Sequence, residues 1–101
     1  MARQYIKEVT KTTIVRAALT VAERDGFLNL TQKSIAEVAQ CSYGTITGRC
    51  GTMTNIRRDV MRAAVLARSL GVIASGLAIK HPTALKAPKE LRDAAAATLS
   101  A

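Results

Sequence analysis

Aromatic side chains are scarce in this sequence: two tyrosines, one phenylalanine and no tryptophan. A core organised around large rings is therefore excluded. It has to be assembled from Ala, Val, Ile and Leu, and so many small residues favour close helix packing over a β-sandwich. Histidine occurs once, at His81, and cysteine twice, at Cys41 and Cys50. Two cysteines make no disulfide framework, and no Cys/His partner stands at zinc-ligand spacing, so no metal is expected. Both cysteines read as reduced, partly buried small hydrophobes of a cytosolic protein. The start, MARQYIKEVTK, lacks the apolar stretch of a signal peptide. The uncharged apolar run at 69–79, SLGVIASGLAI, is too short to span a bilayer, and extending it upstream brings in Arg68 and Arg62. A membrane helix is not expected.

Acidic residues are also few, seven against fifteen Lys and Arg, which leaves a formal net charge of +8. Residues 1–68 hold eleven of the cations and five of the acids, so a polyanion should bind there. With apolar residues at 49%, the 101-residue chain is not compositionally disordered and suits one modest core. An enzyme is disfavoured. His81 precedes a proline at a helix end, no Ser/His/Asp set or phosphate-cradling loop appears, and Glu23, Glu37 and Asp59 read as surface charges. No cofactor is implied.

Helical periodicity runs along the chain and no strand pattern competes with it. The spacing predicts a first helix over 3–25 with Ile14, Ala17, Ala18, Val21 and Ala22 on its inner face, ended by Gly26. Phe27 and Leu30 follow as loop anchors. Thr31 is placed to cap a short second helix with Ile35, Val38 and Ala39 inward, ending near Gln40. Ser42 is placed to cap a third, from Tyr43 to Arg49, with Ile46 inward. Thr52 is placed to cap a long fourth helix, striped by Ile56, Val60, Ala63, Ala64, Ala67 and Leu70. That helix is expected to run toward Ile79 despite Gly71 and Gly76, with His81-Pro82 as its stop. Residues 82–87 read as a linker. Pro88 suits a first helical position, and Lys89 to Leu99 predict a last, Ala-rich helix. The fold class is all-α: a helix-turn-helix three-helix core, a long fourth helix and a short C-terminal helix. Residues 1–68 would be the DNA-binding domain and 69–101 a dimerisation segment.

Two short helices joined by a tight turn, after a longer helix, follow the helix-turn-helix plan. The stretches IVRAALTVAERDGFLNLT (14–31), SIAEVAQCSYGTI (34–46) and GTMTNI (51–56) also resemble the DNA-binding domain of the tetracycline-repressor (TetR) family. They run in the family's order without a gap. The resemblance implies that Ile14, Ala18, Phe27, Ile35, Ala36, Ala39 and Ile46 are core and that Thr31 and Lys33 face the DNA backbone. It implies that Ser42, Tyr43, Gly44, Thr45, Thr47, Gly48 and Arg49 form the recognition helix and its approach. The chain departs from the family at Thr47 and Cys50, where aromatics are usual, at Met53, where lysine is usual, and at Gln40, in place of the turn glycine. Docking should differ accordingly, with Arg57, Arg58 and Arg62 supplying the missing phosphate contacts.

The residues themselves point the same way. A short helix rich in Gly, Ser and Thr is a poor helix by propensity, but its small outer surface lets a duplex approach. Arg49 is either a reader of guanine O6 and N7 or a phosphate clamp. Tyr43 suits a thymine methyl or a phosphate, and Ser42 and Thr45 suit phosphate oxygens. Arg57 and Arg58 stand in the first turns of the fourth helix, where the helix dipole disfavours cations unless an external anion offsets it. Arg3, Lys7 and Lys11 recur every four residues and make either a phosphate stripe or a solvated face. Leu70, Ile73, Leu77 and Leu91 are candidates for a homodimer interface, with Ala74, Ser75 and Gly76 allowing two helices to come close. The expected function is a sequence-specific regulator of transcription, a repressor of the kind that suits a phage or plasmid genome. It would bind a palindromic operator of double-stranded DNA as a dimer in the cytoplasm, on the nucleoid. About thirty residues after Arg68 leave no room for a pocket, so no small-molecule ligand is expected. A non-specific packaging protein and a protein-interaction module are the alternatives.

Overall fold

A computed structural model describes residues 9–100, and these are all-helical: seven α-helices and one 3-10 turn, with no strand among the described residues. The helices are α1 (Lys11–Asp25), α2 (Gln32–Ala39), α3 (Tyr43–Cys50), α4 (Met53–Leu66), α5 (Leu70–Ala78), α6 (Pro82–Leu85) and α7 (Lys89–Ser100). None is long and apolar enough to cross a membrane among the described residues.

Capping explains most of the starts. Thr10, Thr31, Ser42 and Thr52 each sit in extended backbone and accept the backbone N–H three residues on, which satisfies a donor the helix leaves open. The first helix begins at Lys11, later than the periodicity predicts, because Thr10 caps it there and Val9 lies outside it. The portion of that prediction over 3–8 lies outside the described residues. Gly26, at φ 101°, ends α1, and the 3-10 turn Phe27–Asn29 follows. Phe27 and Leu30 are buried, as their anchor role requires. One core runs through both halves of the chain, from Ile14 and Val21 in α1 through Ile46, Ile56 and Met61 to Ile73 in α5 and Ala95 in α7. α1 packs on α2 and α4, and α5 packs on α7.

The C-terminal third differs from expectation in three ways. First, the fourth helix does not run toward Ile79. It stops at Leu66, because Arg68 takes the left-handed conformation (φ 57°) and its N–H bonds Val65 O at 3.2 Å while Ser69 N–H bonds Ala64 O at 2.8 Å. That double closure is a Schellman motif built without glycine. The Ser69 hydroxyl also donates to Glu23 Oε2 at 2.7 Å, tying the break to the end of α1. Second, the expected linker contains α6, whose first residue is Pro82 and whose cap is His81 Nδ1, accepting the N–H of Thr83 at 3.2 Å. Third, the candidate dimer residues Ile73 and Leu91 are buried inside the chain, and Leu70 and Leu77 are half-buried. The interface assignment of Ile73 and Leu91 is therefore corrected, since the turn at Arg68 folds α5 back and α7 covers it. Ala74 and Gly76 are likewise buried within the chain rather than presented to a second copy of it.

Candidate nucleic-acid interface

α2 and α3 are held by short-range chemistry. Thr31 and Ser34 cap each other reciprocally: Ser34 N–H donates to Thr31 Oγ1 at 3.1 Å and Thr31 N–H to Ser34 Oγ at 3.2 Å. Ile35, Ala36 and Ala39 turn inward. Gln40 then adopts the left-handed conformation (φ 57°, ψ 53°) and Cys41 N–H closes on Ala36 O at 3.2 Å. This is the turn position where glycine would carry no steric penalty, and glutamine holds it at an expense of about 1–2 kcal/mol. Ser42 caps α3 by accepting Thr45 N–H at 3.1 Å, and Ile46 and Cys50 anchor that helix in the core. Burial pushes the Cys50 thiol up from its ordinary value, as suits a packed rather than a reactive sulfur.

The opposite face of α3 is open. Tyr43, Gly44, Thr47, Gly48 and Arg49 are exposed, together with the cap Ser42, while Thr45 is half-buried. Ser42, Gly44, Thr45, Gly48 and Arg49 line one shallow groove along it. The Ser42 and Thr45 hydroxyls lie 3.0 Å apart and share a hydrogen bond, and Gln32 Nε2 donates to Thr47 Oγ1 at 3.3 Å. That last bond crosses from α2 to α3 and keeps the two helices in register on the open side. Thr31 and Lys33 are exposed at the start of α2.

Gly44 and Gly48 lie one turn apart on this face. A Cβ built at Gly48 would meet nothing within 4 Å, and one at Gly44 would meet only Ser42 Oγ at 3.8 Å. Each glycine weakens the helix by about 1 kcal/mol relative to alanine, and packing inside the chain does not require either of them.

The remaining basic candidates sit on α4 and α1. Arg57 and Arg58 are half-buried, and Arg58 Nε lies 3.5 Å from Asp59 Oδ1. Lys11 Nζ lies 3.3 Å from Asp59 Oδ2, and Arg62 also reaches this carboxylate, so Asp59 is not a plain surface charge; its side chain is only 11% exposed. The Asp59–Arg62 spacing is visible in sequence, but the Lys11 contact arises only from the packing of α1 on α4. Glu23, read as a surface charge, is exposed and is also the acceptor for Ser69. Arg3 and Lys7 lie outside the described residues.

No group of three or more His, Cys, Asp and Glu is placed to hold a metal ion among the described residues. Among the described residues the large apolar side chains left exposed are Leu28, Leu66, Ile79, Leu85 and Leu99, with Tyr43 on α3. Comparisons with family models, with curated proteins and with solved structures find no match to this chain.

Proposed function

We propose that the chain is a sequence-specific regulator that binds double-stranded DNA, with α2, the turn at Gln40 and α3 acting as a helix-turn-helix and α3 entering the major groove. The observation that carries this reading is the pair of glycines on the open face of α3. They weaken the helix and meet almost nothing inside the chain, which leaves this side of α3 open to close approach from outside. Beside them stand Arg49, with a planar fork that matches guanine O6 and N7, and Tyr43, with an apolar ring and a hydroxyl. A face that lacks Cβ atoms at two positions one turn apart lets the helix axis come close enough for such side chains to reach base edges. Thr31, Lys33 and Arg57 take phosphates on either side, which sets position rather than sequence. The stretches 14–31, 34–46 and 51–56 resemble a TetR-type DNA-binding domain, and the net charge of +8 supplies the long-range attraction.

An eight-residue reading helix covers only a few base pairs, so a second copy on a two-fold repeated operator is part of the proposal. With Ile73 and Leu91 engaged in the chain's own core, pairing would draw on the exposed Leu66, Leu85 and Leu99.

Selection of bound sequences from a random pool of duplex DNA tests the whole reading. A palindromic product is expected, with a scrambled duplex bound at least about a hundredfold more weakly. Equal retention of every sequence would leave a charge-driven packaging protein instead, and absence of salt-dependent binding at low ionic strength would leave a protein-interaction module.

A further inference from the structure

Three cations from two helices converge on one carboxylate. Lys11 Nζ of α1 lies 3.3 Å from Asp59 Oδ2, while Arg58 Nε and Arg62 Nη1 of α4 lie 3.5 Å and 3.7 Å from Oδ1. One partner would neutralise the carboxylate; three leave a local excess of positive charge. The contacts are electrostatic rather than hydrogen-bonded: Asp59 Oδ2 and Arg58 Nε are buried without a hydrogen-bond partner among the described residues, and the Arg62 distance is too long for one. The cations are thus gathered by the field of Asp59 while their exposed portions, which leave out the buried Nε of Arg58, stay available to another acceptor. Lys11, Arg58 and Arg62 keep 56%, 42% and 62% of their side chains exposed, against 11% for Asp59 beneath them. α1, which carries Lys11, also packs on α3, the helix that carries Arg49.

We propose that Asp59 is a positioning residue that holds Lys11, Arg58 and Arg62 as one phosphate-binding cluster, extending the α3 face across α4 onto α1 to receive the sugar-phosphate backbone of the duplex. This rests on the DNA-binding reading above. Long cationic side chains lose rotamer freedom when they bind, and cations already gathered around a buried anion lose less. Their N–H groups then form charge-assisted bonds with phosphate oxygens.

The test is the salt dependence of duplex binding by the full chain. Lys11→Ala and Arg62→Ala are each expected to flatten the slope of log K against log salt by about 0.9, alike for all sequences. Asp59→Asn raises the net charge, so a simple sum of charges requires tighter binding. The cluster requires the reverse, a loss of roughly three- to tenfold with a flatter slope. Asp59→Glu should keep the native slope. Melting curves check that each variant is folded at the assay temperature, and if Asp59→Asn is not, the two exposed cation variants decide the matter. Tighter binding by folded Asp59→Asn, or unchanged slopes for Lys11→Ala and Arg62→Ala, overturns the cluster. A native chain that selects an operator while those slopes stay put overturns the cluster alone. A native chain that binds no duplex overturns the DNA reading with it.

Discussion

Gly76 of α5 and the two glycines of α3 sit in opposite surroundings. In α5, Gly76 faces inward: a Cβ there would come within 2.5 Å of Met61 Cε and 2.8 Å of Ala84 Cβ. The bare backbone is what lets α5 meet α4 and α6. In α3, Gly44 and Gly48 face outward and touch almost nothing. Gly71, at the start of α5, is also open. A glycine inside a helix is tolerated where something must come close, and for Gly76 that something belongs to the same chain. For α3 it does not, which is why the empty side of α3 reads as a surface awaiting a partner.

The largest effect should come from filling the inner site. Gly76→Val is expected to destabilise the fold by about 3 kcal/mol, through overpacking against Met61 and Ala84, and chemical denaturation would measure it. A neutral result would mean that the two helices do not differ as described. Next comes Arg49→Ala. If Arg49 reads a base, operator preference should fall by about 1–3 kcal/mol while weak binding to any duplex persists in a gel-shift assay. Preference that survives intact would make Arg49 a phosphate clamp.

The outer glycines provide the sharpest contrast. Gly44→Ala combined with Gly48→Ala should raise stability by about 1–2 kcal/mol, since both sites are open and helical. The same double variant should bind the operator at least tenfold more weakly, because two methyl groups hold the helix away from the duplex. A stabler protein with undiminished binding would break the comparison.

A smaller gain is expected from Arg68→Gly. Arg68 is left-handed at φ 57°, and relieving that strain should add about 1 kcal/mol to stability by calorimetry. The smallest effect concerns pH and separates the two regions again. His81 caps α6 through an unprotonated Nδ1 and packs edge-on against Phe27, with ring centroids 5.8 Å apart. Burial holds its pKa below the ordinary 6.5. The unfolded chain therefore takes up the proton first, so the stabilisation is complete above pH 6.5 and is lost as pH falls through the lower folded value. Amide protection around α6, taken relative to the intrinsic exchange rate at each pH, should fall over that acidic range while protection in α3 does not.

Much of the N-terminal half was legible in advance. Thr31, Ser42 and Thr52 each precede a helical apolar pattern, and each caps the helix it precedes. The five inward residues expected on the first helix are the ones buried there. The break between α4 and α5 was not legible, because Ala67, Arg68 and Ser69 include neither glycine nor proline. The strain at Arg68 is offset by what the turn brings together: Val72 and Ile73 in the core, and Ser69 on Glu23. An apolar stripe that faces its own chain also looks the same in sequence as one that faces a second copy. That ambiguity explains Ile73 and Leu91. The site divides in the same manner, since the outward residues of α3 follow from helical spacing, whereas the gathering of Lys11 on Asp59 does not.

Helix starts, inward stripes and the polar character of α3 depend on residues within about one turn of each other, so the order of amino acids is enough to set them. The reversal at Arg68, the burial of α5 beneath α7 and the grouping of cations around Asp59 join residues far apart in the chain. Packing chose those, because only the assembled core repays a left-handed arginine and brings α1 within an ion pair's reach of α4.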